Sequence, residues 1–323
     1  MDALADIRIL DLSDGVAGAY CTKLFADYGA DIIVIEPPGS GHPLRRYGPF
    51  AGGRPHPETG ALWLYLGTNK RSVTLEIGSA AGRDLFRRLV EEAHVIVESF
   101  PPGHMESLGL DFRALRGIKR RIVLVSITPF GQTGPRAGWR ATSLTSFASG
   151  GQMSLSGTSQ RGPGGYPAEY QAGLQAFAAA ATAAYNADAL EVPQHIDISA
   201  QECTASALGM HLPRWAYQKA ATSEGRGIEA ERSPRVSAGP AASVHTVDEI
   251  PESARLAARG YFQEIDHPRA GRLTYSGSPF RMSEVAWRAG RAPLLGEHNE
   301  EIFCGELHLS RQELFHLCAA GVV

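Results

Sequence analysis

Glu169, in the stretch Pro167-Ala168-Glu169-Tyr170-Gln171-Ala172-Gly173, lies in the last loop before a long alanine-rich segment. A carboxylate there sits near the positive end of the following helix dipole. It reads in two ways, as a nucleophile or base held at the mouth of a sheet, or as an N-terminal charge that favours the helix. The other chemistries an α/β chain invites lack their residues. The turn Asp14-Gly15-Val16-Ala17-Gly18 has too few glycines at the wrong spacing for GxGxxG, and no GxxxxGK[ST] occurs. There is no HExxH among the eleven histidines, and no GxSxG where a strand meets a helix. Cys21, Cys203, Cys304 and Cys318 form no CxxC pair, so they read as buried thiols and neither a metal site nor a disulfide framework is expected.

The elements that must position Glu169 are legible as apolar runs. Arg8 to Ser13, Ile32 to Pro37, Ser72 to Ile77, His94 to Phe100 and Ile122 to Thr128 are β-branched and do not alternate strictly, as strands buried on both faces should be. Residues 18–30 and 79–93 between them carry helical spacing of Leu, Phe and Val. Strand, helix, strand repeated in this way predicts an open, mostly parallel, Rossmann-like α/β sheet. A loop-rich stretch over 129–170 follows the fifth strand, where such folds bind ligands. Beyond it the pattern predicts a helix over Ala172 to Leu190, a strand over His195 to Ser199 and a helix over Ala200 to Lys219. Residues 221–253 read as a linker or excursion. Short strands follow at 261–266 and 272–277, then a helix starting in residues 293–303 and a last helix ending near Cys318.

Composition narrows the partners. The 323 residues carry 31 Lys plus Arg against 34 Asp plus Glu, a formal charge of −3, so no basic field recruits nucleic acid or an anionic membrane. No run approaches the ~20 apolar residues of a membrane span, and the start MDALADIRILDLS has no signal-peptide pattern, so a cytoplasmic protein is expected.

Several ordered blocks give the chain a resemblance. Residues 9–45, the run Asn69-Lys70-Arg71-Ser72-Val73, residues 95–111, residues 126–135 and the stretch from 149 to 199 are similar to the family III CoA-transferases, the CaiB/BaiF group of formyl-CoA and carnitine CoA-transferases and α-methylacyl-CoA racemase. Residues 239–250, 258–273 and 293–302 resemble that family's closing segments. The resemblance implies acyl-CoA as substrate with no tightly bound cofactor, a carboxylic acid as acceptor, and an interlocked homodimer or a heteromer with a related chain. It places Glu169 where the family has a nucleophilic Asp that forms a mixed anhydride with the acyl group and then a thioester with CoA. It also places Val16 and Ala17 at the loop that meets CoA, Leu75, Glu76 and Ile77 at the nucleotide end, Phe100 in an Asn-Phe pair that is Ser99-Phe100 here, and Arg140 and Thr142 beside the thiol and acyl group.

The departures from the family are specific. Glutamate extends the carboxylate by one C–C bond, ~1.5 Å. Ser107 and Pro37 stand at positions that are Arg in relatives, and Thr142 replaces the imidazole that racemases use as an α-proton base. Residues around Ala220 to Gly239 are shortened where relatives carry a small-domain sheet and a glycine-rich lid; Gly162, Gly164 and Gly165 precede Glu169 and are not its counterpart. The expected organisation is a large CoA-binding α/β domain over 1–205 joined by C-terminal helices over 291–323, with linker and a reduced small domain over 206–290. The expected activity is CoA transfer through Glu169. The alternatives are a non-catalytic or partly catalytic subunit of a full-length relative, and an isomerase using Glu169 as base.

Overall fold

A computed structural model of the chain describes residues 2–155, 164–218 and 247–323. The first half alternates β1 (Arg8–Leu12), α1 (Val16–Asp27), β2 (Asp31–Glu36), α2 (Ala61–Leu66), β3 (Arg71–Thr74), α3 (Ala80–Glu91) and β4 (Val95–Glu98). Then come α4 (His104–Ser107), α5 (Phe112–Ile118), β5 (Val123–Thr128), α6 (Ser143–Ser149), α7 (Pro167–Leu190) and β6 (Gln194–Ser199). The rest is α8 (Ala200–Ser206), α9 (His211–Gln218), α10 (Ala254–Ala258), the pair β7 (Phe262–His267) and β8 (Gly271–Ser276), and α11 (Arg311–Ala319).

The six strands pair in the order β3-β2-β1-β4-β5-β6, every pair parallel, as the sequence predicts. Strands leave β1 in one direction through β2 and β3, and the chain then crosses to β4 on the other side of β1. The carboxyl ends of β1 and β4 are therefore the point where strand order reverses, and a crevice opens there. Alternate residues of each strand serve opposite faces. Ile9, Val34, Val95 and Val123 pack with α1 and α7 on one face; Leu10, Ile33, Ile96 and Leu124 pack with α3, α5 and Phe303 of the tail on the other.

α7 reaches α1 because its buried face is almost wholly small. Ala172, Ala176, Ala180, Ala183 and Ala187 recur at helical spacing, and a Cβ on Gly173 would come 2.5 Å from the Ala17 carbonyl oxygen. The close approach is locked by Tyr20 against Tyr170, edge to face at 4.8 Å.

Four expectations are corrected. Glu169 is not in a loop: α7 begins at Pro167, whose fixed φ and missing N–H suit a first helical position, so Glu169 stands in the first turn. The run Ala200 to Lys219 is not one helix. α8 stops at Ser206 and α9 restarts at His211, because Gly209 lies between them and Pro213 lacks the N–H that a helix interior needs; Lys219 lies outside the described residues. The third strand ends at Thr74, so Leu75 to Ile77 run past the sheet edge, and the turn of helix in the tail is confined to Glu300–Glu306. The shortened stretch around 220–239 lies outside the described residues.

Candidate active site

The cavity at the strand tips has a volume of about 340 Å³ and collects the residues just past β1 to β4. Asp14 follows β1, Pro37 and His42 follow β2, Leu75 to Gly78 follow β3, and Phe100 and His104 follow β4. Two hydrogen bonds tie its floor together across the switch point. The Asp14 N–H donates to Ser99 Oγ at 2.8 Å, and the Ser99 hydroxyl donates to Asp14 Oδ1 at 2.6 Å. Glu98, buried at the end of β4, accepts from the Phe100 N–H at 2.7 Å and so sets where that ring points. Burial pushes the Glu98 carboxyl above the usual range, against the pull of Ser126 and the Phe100 N–H.

Four expected contacts meet here: Leu75, Glu76, Ile77 and Phe100 all line the cavity. Glu76 is exposed at its edge, with Oε1 accepting from the Gly78 N–H at 2.8 Å. Phe100 packs on His104 with ring centres 4.6 Å apart. The other expected contacts lie outside the lining. Val16 and Ala17 are buried in the first turn of α1, where Ala17 meets α7. Thr142 is the N-cap of α6, its hydroxyl spent in a capping box with Thr145. Arg140 is exposed beside it and has no bonded partner among the described residues.

Glu169 is half-buried, and its Oε2 is shielded from solvent yet has no hydrogen-bond partner. Among the described residues no arginine pairs with it. α7 and α1 start at the same end of the sheet, since Gly173, nearly two turns along α7 and one turn past Glu169, touches Ala17, one residue into α1. The carboxylate therefore stands on the rim at the strand-tip end of the sheet, and it is not among the residues that line the cavity.

Sequence reasoning did not single out Asp14, His42 or His104 as lining residues. The signal was available for Asp14 and His104, since each lies shortly after a strand that flanks the reversal of strand order. His42 is held with Nδ1 accepting from the Leu44 N–H at 3.1 Å, and burial pushes its imidazole below the usual range despite Asp11 and Glu36. It is therefore a neutral ring near neutral pH.

Beneath the rim the charges are paired. Lys70 donates to Asp11 at 3.2 Å and to Thr22 Oγ1 at 2.7 Å, all buried. Burial alone would raise the Asp11 carboxyl, but Lys70 and the Ser13 and Thr22 hydroxyls outweigh it and hold it low. Arg45, fully buried, grips Glu36 at 2.6 and 2.8 Å and Glu58 at 2.6 Å, and its guanidinium lies 4.0 Å from the Trp63 ring centre. These pairs hold strand ends and loops in place and leave no cation for the cavity. Among the described residues no group of three or more His, Cys, Asp or Glu side chains is placed to hold a metal, and no helix is long and apolar enough to cross a membrane.

The model of CoA-transferase family III matches residues 4–238 and 219–299. The chain belongs to that family. It is 35% identical over 226 residues to the succinyl-CoA:(R)-benzylsuccinate CoA-transferase subunit BbsE of Thauera aromatica, a match covering 69% of this chain and 54% of that one. It is 34% identical over 162 residues to the succinyl-CoA–D-citramalate CoA-transferase of Chloroflexus aurantiacus, covering 50% and 39%. The chain thus spans about half the length of these relatives or less. It is also 25% identical over 415 aligned positions to the formyl-CoA:oxalate CoA-transferase of Streptomyces coelicolor, covering 99% of each. That alignment is longer than the 323 residues here, so the relative carries insertions. A crystal structure of a CaiB/BaiF family protein from Brucella suis shares the fold, with a TM-score of 0.81 at 23% identity over 95% of this chain and 98% of that one.

Proposed function

We propose that this family III protein moves coenzyme A from an acyl-CoA thioester to a carboxylic acid, with Glu169 as nucleophile. The carrying observation is that Glu169 Oε2 is shielded from water and has no hydrogen-bond partner among the described residues, at the strand-tip end of the sheet. A carboxylate oxygen that neither water nor a donor stabilises is the more reactive toward an acyl carbon. It stands in the first turn of the 24-residue α7, whose dipole favours the ionised form.

The steps balance as follows. A Glu169 oxygen attacks the thioester carbon, the C–S bond breaks, and CoA leaves as thiolate. The thiolate attacks the glutamyl carbon of the anhydride, releasing the first acid and leaving a glutamyl-CoA thioester. The acceptor carboxylate then attacks that thioester, and the thiolate returned by this step takes the new acyl group, freeing Glu169. In this reading Leu75, Glu76, Ile77 and Phe100 flank the nucleotide end, the Val16–Ala17 turn supports the chain leading to the thiol, and Arg140 and Thr142 lie toward the acyl group. The large domain is residues 1–205 with 291–323, and 206–290 form linker and a reduced second unit.

The test is to incubate the protein with succinyl-CoA, the donor printed in the names of two relatives, quench with hydroxylamine and map the adduct by mass spectrometry. A hydroxamate at Glu169, absent in Glu169→Gln, is expected. CoA exchange that persists in Glu169→Gln would sink the reading, and solvent deuterium entering the acyl α-carbon without a hydroxamate would replace it with isomerisation.

A second reading has its own support. Met210, at 82% exposure, and Leu212, Trp215 and Tyr217 of α9 form an apolar group on the surface, the kind a partner chain covers. Relatives include chains named as subunits. The protein then acts as a homodimer or as one chain of a heteromer. Exchange that appears only on co-expression with a longer relative would favour the heteromer; exchange by the chain alone, at a mass above 34.6 kDa in light scattering, would favour the homodimer.

A further inference from the structure

The pair β7–β8 and residues 277–287 after it close a second cavity, of about 370 Å³, against Tyr28 at the C-terminal end of α1. α1 has 12 residues, about 18 Å at 1.5 Å per residue, so this cavity lies a helix length away from the rim that carries Glu169. It is no part of the proposed transfer site.

Two arginines line it, Arg259 and Arg281, and no aspartate or glutamate does. Neither guanidinium has a bonded partner among the described residues. Arg281 Nη2 comes within 3.7 Å of where a Cβ on Gly260 would sit, so its charge is carried back to the backbone adjoining Arg259. The fully buried Arg45, by contrast, is matched by carboxylates on two sides. Two like charges on one concave wall repel each other and favour an anion between them.

The aromatic part of the lining is fixed. Tyr28 and Phe280 stack with centres 5.1 Å apart and planes 10° from parallel. The Tyr28 hydroxyl is bonded to Ser278 Oγ at 2.6 Å, and that hydroxyl also reaches the Phe280 carbonyl at 2.6 Å, which holds both rings in register. Tyr261 and Trp287 extend the apolar lining. A flat apolar body fits such a wall, and a planar carboxylate matches the guanidinium fork.

We infer that this cavity is a binding site for a small organic anion with a flat body, an aromatic carboxylate, its charge held by Arg259 and Arg281 and its ring packed beside Tyr28 and Phe280. Trp287 supplies the readout. Benzoate titrated into the full chain should quench a saturable part of the tryptophan fluorescence, and Trp287→Phe should lose that part. Calorimetric titration should show benzamide, the same shape without the charge, binding at least about tenfold more weakly, the scale of one charge-assisted hydrogen bond. The Arg259→Ala/Arg281→Ala variant changes two exposed side chains, so it should keep its melting temperature while losing benzoate affinity by at least about tenfold. The inference is overturned if benzoate gives no saturable signal, if benzamide binds as tightly, or if the double variant binds unchanged. Inorganic phosphate competing as well as benzoate would overturn the aromatic part of the assignment.

Discussion

The Glu169 carboxylate is the residue on which the transfer reading turns. Its type was legible in the sequence but its place inside the first turn of α7 was not, whereas Leu75, Glu76, Ile77 and Phe100, singled out by resemblance, share one cavity because each follows a strand of the parallel sheet. Arg140 and Thr142 were not legible, since their surroundings depend on the course of a loop that no periodicity encodes; Thr142 turned out to cap α6. The reach of residue 169 can be tested directly. Glu169→Asp keeps the charge and draws the oxygens back by ~1.5 Å, and misplacement of that order costs about 100-fold in rate. We expect CoA exchange slowed by about that factor with a hydroxamate still found at position 169. An aspartate variant faster than the parent would show that the pocket is still shaped for the shorter acid.

At the scale of elements, the sequence located the sheet because buried parallel strands are continuous apolar runs, and it overran their ends because the residues just beyond them are apolar too. Leu75 is one such residue: it is buried and still donates to the Glu36 carbonyl at 2.8 Å, yet it has left the strand and belongs to the cavity wall. The start of α7 was set at Ala172, five residues past Pro167 and too late to hold Glu169, since proline at a first helical position looks like a breaker when context is missing. Once α7 begins at Pro167, the placement of Glu169 depends on the contact between α7 and α1. Gly173→Ala puts a methyl 2.5 Å from the Ala17 carbonyl oxygen, and backbone at that distance does not yield as a side chain would. The helices must separate, at a cost of about 1–3 kcal/mol. Urea denaturation should register the loss, and exchange should fall further than stability alone explains, because Glu169 lies one turn away. Unchanged exchange in a destabilised Gly173→Ala protein would show that the rim tolerates this shift.

The molecule as a whole is closed by its tail, through polar links far apart in sequence and through apolar burial. Asn69 Oδ1 accepts from the Gly290 N–H at 2.6 Å, Ser72 Nα–H donates to His298 Nδ1 at 3.1 Å, and Trp63 Nε1 donates to the Pro293 carbonyl at 3.3 Å. The Asn69-Lys70-Arg71-Ser72 run is thus largely a structural staple, with Arg71 held by Asp31, Glu301 and Glu306. Within the tail, Arg291 holds the Glu297 carboxyl down at about 2 against an ordinary 4.5, helped by the Leu294 N–H. Because the folded value lies below the unfolded one, this stabilisation is complete above about 4.5 and disappears as pH falls toward about 2. Glu297→Gln should therefore be less stable than the parent by about 0.5–1 kcal/mol at neutral pH, after allowance for solvent screening, and the two denaturation curves should converge on acidification; a constant gap would assign the loss to packing. The larger contribution is apolar. Ile302, Phe303, Leu307, Val322 and Val323 are buried against the same face of the sheet as Leu10 and Ile96. Each such side chain is worth about 1.5–3 kcal/mol, and together they rival the 5–15 kcal/mol by which a domain is stable. A chain ending at Gly290 keeps every strand of the six-stranded sheet but exposes that face. It should show no cooperative melting transition by circular dichroism and should bind a hydrophobic dye. A truncated chain that still melted cooperatively would mean that α3 and α5 cover that face without the tail.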